Sequence, residues 1–309
     1  MAVDTQRIRA AAHGALLGTL VGDALGAPFE GTLPTAREKA VDRLERALAS
    51  APRTYTDDTQ MACALAWHLL EHPEVEPVAL AAAFRDAFEP WRGYGGGMQR
   101  VHDAWERGVP VEEAARAAFP DGSFGNGGAM RVAPVGIRWA HDPERLAAAA
   151  ARSAEPTHVH PVGRDGAVVQ AHAVGRAAAA GRFDRDDLAG LAESAATEAL
   201  AAGLREAAEF TWPDELGDPS HAIADRLGNE ILAHRSVPTA CWIAATSESP
   251  REALVSALAV GGDTDSIGAM ALAIRAAADG DAAIDDDLVQ ACEEPERVRD
   301  VAERLLAAL

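Results

Sequence analysis

Alanine-rich apolar segments follow one another along almost the whole chain, and the alternating apolar and polar residues of half-buried strands are almost absent. Hydrophobic residues make up 48% of the 309 residues, whereas aromatic residues make up only 5%. Alanine favours helices, while strands favour β-branched and aromatic side chains. The sequence therefore predicts an all-α fold with a substantial core.

Hydrophobic periodicity and the positions of proline and glycine place the helices along the chain. Pro161 and Pro238 suit first-turn positions, and the segment 211–220 is predicted to be a loop. No linker and no repeat of fixed period divides the chain, so we expect one domain over residues 1–309. The predicted helices cover residues 5–26, 59–71, 77–89, 98–107, 143–153, 161–180, 185–209, 219–234, 237–246, 250–259, 265–278 and 295–308.

The first predicted helix carries a stripe of glycine. Gly18, Gly22 and Gly26 recur every four positions and therefore share one helix face. Each glycine costs a helix roughly 1 kcal/mol relative to alanine. We therefore expect the backbone of another element to approach this face closely.

Two acidic clusters lie far apart in the sequence, and each precedes an apolar run that is predicted to be helical. The first is Thr56-Asp57-Asp58-Thr59, and the second is Gly261-Gly262-Asp263-Thr264-Asp265-Ser266. Carboxylates and hydroxyls are the hard oxygen ligands that Mg²⁺, Mn²⁺ and Ca²⁺ prefer. Either cluster alone is explained by a helix cap with solvated neighbours. Two such clusters indicate a metal site, provided that folding joins them.

Three further segments carry candidate functional groups. The glycine loops Gly93–Gly97 and Gly125–Gly128 can present backbone N–H groups to phosphate oxygens, although neither has the lysine of a P-loop. His158 and His160 could bind a metal or a phosphate, or simply lie in the turn that starts a helix. Glu30 stands beside an aromatic residue in a loop, where a carboxylate can serve as an acid or base.

The charge balance limits the partners of this chain. The net charge is −20, and Lys39 is the only lysine. This acidity argues against broad nucleic-acid or anionic-membrane binding, which needs a positive field.

The apolar stretch near the N-terminus is shorter than the ~20 residues of a membrane span, and we interpret it as a buried helix. Three scattered cysteines form no metal pattern or disulfide framework, which makes a cytoplasmic location the simplest expectation.

Taken together, these segments resemble the ADP-ribosylglycohydrolase family, which includes the dinitrogenase reductase-activating glycohydrolases and the ADP-ribosyl-acceptor hydrolases. The resemblance extends from about residue 10 to residue 275 and rests on motifs in the family order. These motifs are Gly14-Ala15-Leu16-Leu17-Gly18, Gly22-Asp23-Ala24-Leu25-Gly26-Ala27-Pro28-Phe29-Glu30, Tyr55-Thr56-Asp57-Asp58-Thr59, Gly93-Tyr94-Gly95, Gly125-Asn126-Gly127-Gly128-Ala129-Met130-Arg131, Thr157-His158 with His160-Pro161, and Gly262-Asp263-Thr264-Asp265-Ser266.

The resemblance implies a single compact orthogonal multi-helix bundle with a binuclear Mg²⁺ or Mn²⁺ site in a cleft. One metal ion is then expected to be bound by Thr56, Asp57, Asp58 and Asp265. The other is expected to be bound by Asp263, Asp265 and Ser266, with Asp265 bridging the two ions. Ser266 is often threonine in relatives, and the hydroxyl ligand survives that change.

The resemblance also implies a substrate site and a reaction. Contacts to the diphosphate and ribose are expected from Gly93, Tyr94, Gly95, Gly96, Gly97, Ser123, Gly125, Asn126, Gly127 and His158. Phe124 falls where some relatives stack an aromatic ring on the adenine. The implied reaction is cleavage at C1″ of ADP-ribose, with Glu30, Asp57 or Asp58 as the catalytic base.

Two other functions remain open at this point. Asp263-Thr264-Asp265 after an apolar run resembles the nucleophile motif of haloacid-dehalogenase-type phosphohydrolases, although that chemistry also needs a sheet and a basic phosphate clamp. A non-catalytic ADP-ribose-binding or crystallin-like relative is the second alternative, and it would not need both acidic clusters. The acceptor could be arginine, serine or another group. We expect a monomer that acts on ADP-ribosylated protein or small-molecule substrates.

Overall fold

The prediction of an all-α fold is confirmed. The computed structural model describes residues 5–212 and 217–307, and these ranges contain helices and only isolated β-bridges. The α-helices are α1 (Thr5–Gly26), α2 (Arg37–Ala49), α3 (Asp57–Glu71), α4 (Pro77–Ala87), α5 (Gly96–Glu106), α6 (Val111–Ala114), α7 (Gly127–Met130), α8 (Ala133–Arg138), α9 (Pro143–Ala154), α10 (Pro161–Ala180), α11 (Arg185–Ser194), α12 (Glu198–Glu209), α13 (Ser220–Arg226), α14 (Ala233–Thr246), α15 (Pro250–Val260), α16 (Thr264–Asp279), α17 (Asp286–Gln290) and α18 (Pro295–Ala307).

Several predicted helix boundaries were wrong, for identifiable reasons. The single helix predicted over 185–209 is divided into α11 and α12, because buried Asp165 accepts hydrogen bonds from the backbone of Ala196 and Thr197. Pro238 lies inside α14 rather than in a first turn. A proline there removes a helix donor, and its ring packs against Gly203 of α12. Part of the predicted loop 211–220 lies outside the described residues.

Helix α2 was not predicted, because most of its surface is polar. Its buried residues are only Ala40, Leu44 and Ala47, at spacings of four and three. That spacing gives a narrow apolar stripe, which is hard to distinguish in an alanine-rich chain. The helix covers the core beside α15.

The glycine stripe of α1 lies against α16, which confirms the prediction that another backbone approaches this face closely. A Cβ on Gly18 would lie 2.4 Å from the carbonyl oxygen of Leu272, and one on Gly22 would lie 2.2 Å from the carbonyl carbon of Gly268. Residue numbers rise along α1 as those of the contacted residues fall along α16, so the two helices are antiparallel. The C-terminal end of α1 therefore meets the N-terminal end of α16.

This antiparallel pair decides where the acidic clusters lie. Glu30 follows the end of α1, Asp263 and Asp265 begin α16, and Asp57 begins α3. Throughout the described ranges, buried apolar side chains join in one hydrophobic cluster. Among the helices in the described ranges, none combines the length and hydropathy that crossing a bilayer requires.

Candidate active site at three converging helix ends

One cavity of about 410 Å³ opens where the ends of α1, α3 and α16 converge. It brings together both acidic clusters and both glycine loops. The sequence-predicted residues that line it are Glu30, Asp57, Asp58, Gly93, Gly95, Gly96, Gly97, Ser123, Gly125, Asn126, Gly127, His158, Asp263, Asp265 and Ser266.

Three of the sequence-predicted residues do not line this cavity. Thr56 lies beneath the wall, where its hydroxyl donates to Asp23. Tyr94 donates its hydroxyl hydrogen bond to Gln60 and packs against Phe88. Phe124 stays 44% exposed beside the cavity, with its ring edge-on to a neighbouring histidine.

Asp23 positions the first acidic cluster, and the sequence did not identify it as a functional residue. Its fully buried carboxylate accepts hydrogen bonds from the backbone N–H and the hydroxyl of Thr56, and from the same two groups of Thr59. These contacts fix the first turn of α3 against α1. Asp57 and Asp58 are therefore held in place by a carboxylate that does not itself line the cavity.

Backbone contacts join the Glu30 loop to the second acidic cluster. The N–H of Gly31 donates to the carbonyl of Gly262, and the N–H of Gly262 donates to the carbonyl of Thr32, each at 2.8 Å. Gly262 has φ +70°, and a Cβ there would lie 2.1 Å from the carbonyl oxygen of Asn229. Only glycine satisfies both conditions, because other residues rarely adopt positive φ.

The carboxylates in the cavity are crowded. One oxygen each from Glu30, Asp263 and Asp265 lies within 4.8 Å of the others. Burial and then Asp265 raise the pKa of Asp263 to about 8, and burial and then Asp23 raise that of Asp265 to about 6. Asp265, followed by burial, raises the pKa of Glu30. Repulsion between like charges thus adds to the cost of removing them from water.

The first cluster shows the same electrostatic strain. Burial is the main cause that raises the pKa of Asp57 and of Asp58 well above the usual value, and Asp23 and Asp265 add to it. Oδ1 of Asp58 is buried and accepts no hydrogen bond from the described residues. An unsatisfied buried carboxylate oxygen is costly, and this atom is available to bind a ligand in the cavity that Asp58 lines.

The two glycine loops form the opposite part of the wall. Buried Arg92 anchors the first loop, because it donates to the carbonyl of Tyr55 and pairs with Glu89 and Glu293. In the second loop, the side-chain amide of Asn126 donates to Asp263 at 2.5 Å. The loops are therefore held to the acidic clusters, and their backbone borders the same cavity.

Some lining residues were not singled out from the sequence. Phe119 is 51% exposed and lines the cavity next to Gly97. Arg131 lines it from below and is almost fully buried. Phe119 has no distinctive sequence context, and Arg131 is the last residue of the motif Gly125–Arg131 with nothing in its neighbours that marks it as a functional group. Burial of an arginine cannot be recognised before the fold is known.

The arrangement has two chemical capacities. A group of hard oxygen atoms with excess negative charge can hold divalent cations. Glycine-rich backbone at the start of α5 can bind an anion, because the first N–H groups of a helix have no partner within it. The cavity therefore suits a ligand that carries phosphates and oxygen atoms able to bind metal.

Comparison with known proteins agrees with this geometry. The family model described as ADP-ribosylglycohydrolase matches residues 4–309. The human protein "ADP-ribosylhydrolase ARH3" is 32% identical, over 95% of this chain and 92% of its own length. The Escherichia coli protein YegU is also 32% identical, over 89% of each chain.

A solved structure shows the same fold. It is described as an ADP-ribosylglycohydrolase-related protein complex, and it aligns with a TM-score of 0.73 and 25% identity over 98% of this chain and 99% of its own. Together with the family model and the relatives, it confirms the resemblance stated from the motifs. The chain therefore belongs to the ADP-ribosylglycohydrolase family of hydrolases.

Proposed function

We propose that this chain is a metal-dependent hydrolase of the bond between C1″ of ADP-ribose and an acceptor. The acceptor is an arginine or serine side chain of a modified protein, and free ADP-ribose is released. The observation that carries the proposal is the joining of both acidic clusters and both glycine loops around one cavity. The family match and the relatives named ADP-ribosylhydrolase support the same reaction.

The residues of the cavity fit divalent cations. The clustered oxygen atoms of Glu30, Asp263 and Asp265 and the unpartnered Oδ1 of Asp58 are all hard donors. Burial and then repulsion from neighbouring carboxylates raise the pKa of Asp58 and of Asp263, so the protein groups around them compensate their charged forms only in part. A bound Mg²⁺ or Mn²⁺ would supply the remaining positive charge.

We assign the ligands of two Mg²⁺ or Mn²⁺ ions from the family pattern. The first set is Thr56, Asp57, Asp58 and Asp265. The second set is Asp263, Asp265 and Ser266. Thr56 suits this role because its hydroxyl proton is donated to Asp23 at 2.7 Å, which leaves an oxygen lone pair to coordinate a cation. When bound, the ions would activate water or polarise the ribose hydroxyls.

The chain's own residues bind and orient the substrate in this proposal. Backbone N–H groups of the loop Gly93–Gly97, at the start of α5, bind diphosphate oxygens. The loop Ser123–Gly127 borders the ribose, with Asn126 held by its hydrogen bond to Asp263. Phe119, rather than Phe124, is the aromatic residue that lines the cavity, and we propose that it stacks on the adenine.

Glu30 is the proposed proton-transfer residue. Its carboxylate is exposed at the cavity edge, and Asp265 raises its pKa. A base whose pKa lies closer to neutral transfers protons more efficiently. Cleavage at C1″ passes through an oxocarbenium-like state, which nearby carboxylates stabilise. Asp57 and Asp58 are the alternative bases, and their metal-ligand role is compatible with either assignment.

The assay that tests the proposal measures release of ADP-ribose from peptides modified on arginine or on serine, with and without EDTA. We expect release that EDTA abolishes and that added Mg²⁺ or Mn²⁺ restores. Release that EDTA does not affect would contradict the metal-dependent reaction. Binding of ADP-ribose without turnover of any modified peptide would favour the non-catalytic alternative instead.

The domain organisation, oligomeric state and location of the protein are part of the same proposal. We propose that residues 1–309 act as one domain, as a monomer, in the cytoplasm. The phosphohydrolase alternative has no support, because the described residues contain no strand to carry its nucleophile and Lys39 is the only lysine.

A further inference from the structure

His158 lines the cavity on one side. On its other side, two hydrogen bonds connect it through Thr157 to Arg131. Nδ1 of His158 is 2.7 Å from the hydroxyl oxygen of Thr157. On the other edge, Nε2 faces the glycine loop, and a Cβ on Gly127 would lie 2.8 Å from Cε1 and 3.2 Å from Nε2. Glycine at this position therefore leaves room for the ring. Among the described residues, no protein group forms a hydrogen bond with Nε2.

In the hydrogen bond between Arg131 and Thr157, Arg131 is the donor and Thr157 is the acceptor. Nη2 of Arg131 lies 2.8 Å from the hydroxyl oxygen of Thr157 and 2.9 Å from the carbonyl of Ser153. A guanidinium carries only donors, so the Thr157 oxygen must accept. Arg131 is 1% exposed and its plane packs over Phe84 at 4.5 Å, which keeps this donor in place.

The hydroxyl proton of Thr157 then has one good acceptor. The carbonyl of Ala154 is 3.5 Å from the hydroxyl oxygen, and it already accepts from the backbone N–H groups of Thr157 and His158 at 3.0 and 2.7 Å. Its two lone pairs are therefore occupied. Nδ1 of His158, at 2.7 Å, has the ordinary distance of a hydroxyl hydrogen bond. The proton is donated to Nδ1, which must be unprotonated to accept it.

We propose that Arg131 and Thr157 hold His158 as the neutral tautomer that carries its proton on Nε2, so that the ring donates a hydrogen bond to an anionic oxygen of the ligand. This inference rests on the proposed function, which supplies a diphosphate as that ligand. Burial and Arg131 lower the pKa of His158 to about 3, so the ring is neutral near pH 7. A protonated Nε2 also excludes His158 as a metal ligand.

Arg131 and Thr157 are positioning residues in this proposal, because their hydrogen bonds set the tautomer of His158, although both also line the cavity. His68 provides an internal reference with the opposite arrangement. Nε2 of His68 accepts the backbone N–H of Glu76 at 3.1 Å, so a neutral His68 carries its proton on Nδ1. Both histidines occur in the same molecule, and one spectrum distinguishes them.

The experiment is a long-range ¹H–¹⁵N correlation spectrum of the full, ligand-free chain, with assignments made by His158→Gln and His68→Gln. We expect His158 to have a bare Nδ1 and a protonated Nε2, and His68 to have the reverse pattern. A protonated Nδ1 in His158 would overturn the proposal. Since no ligand or turnover enters this measurement, its failure is distinct from failure of the proposed hydrolysis.

A matched pair of variants tests the positioning role. Thr157→Val keeps the side-chain shape and removes the hydroxyl, whereas Thr157→Ser keeps the hydroxyl. We expect Thr157→Val to give a mixture of tautomers at His158 and to weaken ADP-ribose binding about fivefold. Thr157→Ser should retain both properties. An unchanged tautomer or an unchanged dissociation constant in Thr157→Val would overturn the proposal, and the wild-type spectrum decides the question if that variant does not fold.

Discussion

The hydroxyl of Thr56 donates a hydrogen bond to the buried carboxylate of Asp23 at 2.7 Å, which ties the start of α3 to the last turn of α1. The same carboxylate accepts two backbone N–H groups at the start of α3. Burial raises the pKa of Asp23, and these hydrogen bonds oppose the rise. A residue outside the cavity therefore holds three of the proposed metal ligands, Thr56, Asp57 and Asp58, in position.

Replacing Asp23 with asparagine should destabilise the metal-free protein. The asparagine amide group has only one acceptor oxygen, so in either orientation at least one of the four donors that now bond to the carboxylate, the backbone N–H groups and hydroxyls of Thr56 and Thr59, loses its partner. An unsatisfied buried donor costs about 1–3 kcal/mol. The free energy of unfolding, measured in urea with EDTA present, should fall by that amount. Asp86→Asn, at an exposed position, is the control, and equal effects in the two variants would contradict the anchoring role.

A methyl group on Gly22 should disrupt the contact between α1 and α16. Its Cβ would lie 2.2–2.4 Å from backbone atoms of Gly268 and Ala269, so the helices must move apart. Overpacking against a backbone costs about 1–3 kcal/mol or more. We expect Gly22→Ala to lose at least that much stability, measured by thermal and urea unfolding. Gly96→Ala, where a Cβ meets nothing within 4 Å, should be neutral or stabilising. Similar stability of the two variants would show that the stripe is not a packing requirement.

The sequence predicted the helices with strong periodicity, and it predicted that the glycine stripe faces another backbone. It did not identify the partner of that stripe, because contact between α1 and α16 depends on the whole fold. Likewise, the helix cap that could explain the first acidic cluster is Thr56, which is at the N-cap of α3. Its hydroxyl is nevertheless bonded to Asp23 and not to the helix backbone. Local rules identify such residues, whereas tertiary contacts decide their partners.

The candidate site was predictable to a similar degree. Polar residues in unusual patterns, such as the two acidic clusters, were recognised from composition and spacing, and the structure brings them to one cavity. Residues whose importance comes from burial were not recognised, as with Asp23 and Arg131. Phe119 and Phe124 are both exposed aromatic residues in one loop region, and only their three-dimensional positions separate them.

These two phenylalanines give a direct test of the adenine site. Phe119 lines the cavity and Phe124 does not, so Phe119→Leu should weaken ADP-ribose binding more than Phe124→Leu does. Loss of base stacking costs about 1–3 kcal/mol, which corresponds to a dissociation constant roughly fivefold to hundredfold larger. Calorimetric titration with ADP-ribose measures the difference. The reverse order would restore the assignment made from sequence.

The burial of His68 makes the free energy of unfolding depend on pH. Its ring is 2% exposed, and burial followed by His72 lowers its pKa from 6.5 to about 4. Folding therefore favours the neutral ring, and this stability is fully present above pH 6.5 and is lost as pH falls toward 4. Over that window, wild-type protein should lose on the order of 1 kcal/mol per pH unit more than His68→Gln. Urea unfolding at a series of pH values measures both slopes, and parallel curves would refute the prediction.

Glu30→Gln should separate catalysis from binding. The substitution keeps the size of the side chain and removes its ability to accept a proton, while the exposed position limits any structural effect. We expect kcat for ADP-ribose release to fall by a factor of about 10²–10⁴, the usual contribution of general acid–base catalysis, with a smaller change in ADP-ribose affinity. Equal losses in kcat and affinity would indicate that Glu30 acts mainly as a ligand or binding residue.

Replacing Asp265 with asparagine should weaken metal binding and raise the stability of the metal-free protein. Its carboxylate repels Glu30 and Asp263, so Asp265→Asn relieves repulsion and should raise the metal-free unfolding free energy by about 1 kcal/mol. The amide retains an oxygen that can accept the N–H of Ser266, as the carboxylate does now. Removal of a bridging charge should nevertheless weaken Mn²⁺ binding at least about tenfold and abolish turnover. Calorimetric titration with Mn²⁺ and urea unfolding in EDTA measure the two effects on the same preparation. A purely structural role for Asp265 predicts that both quantities fall together, and that result would remove it from the proposed metal site.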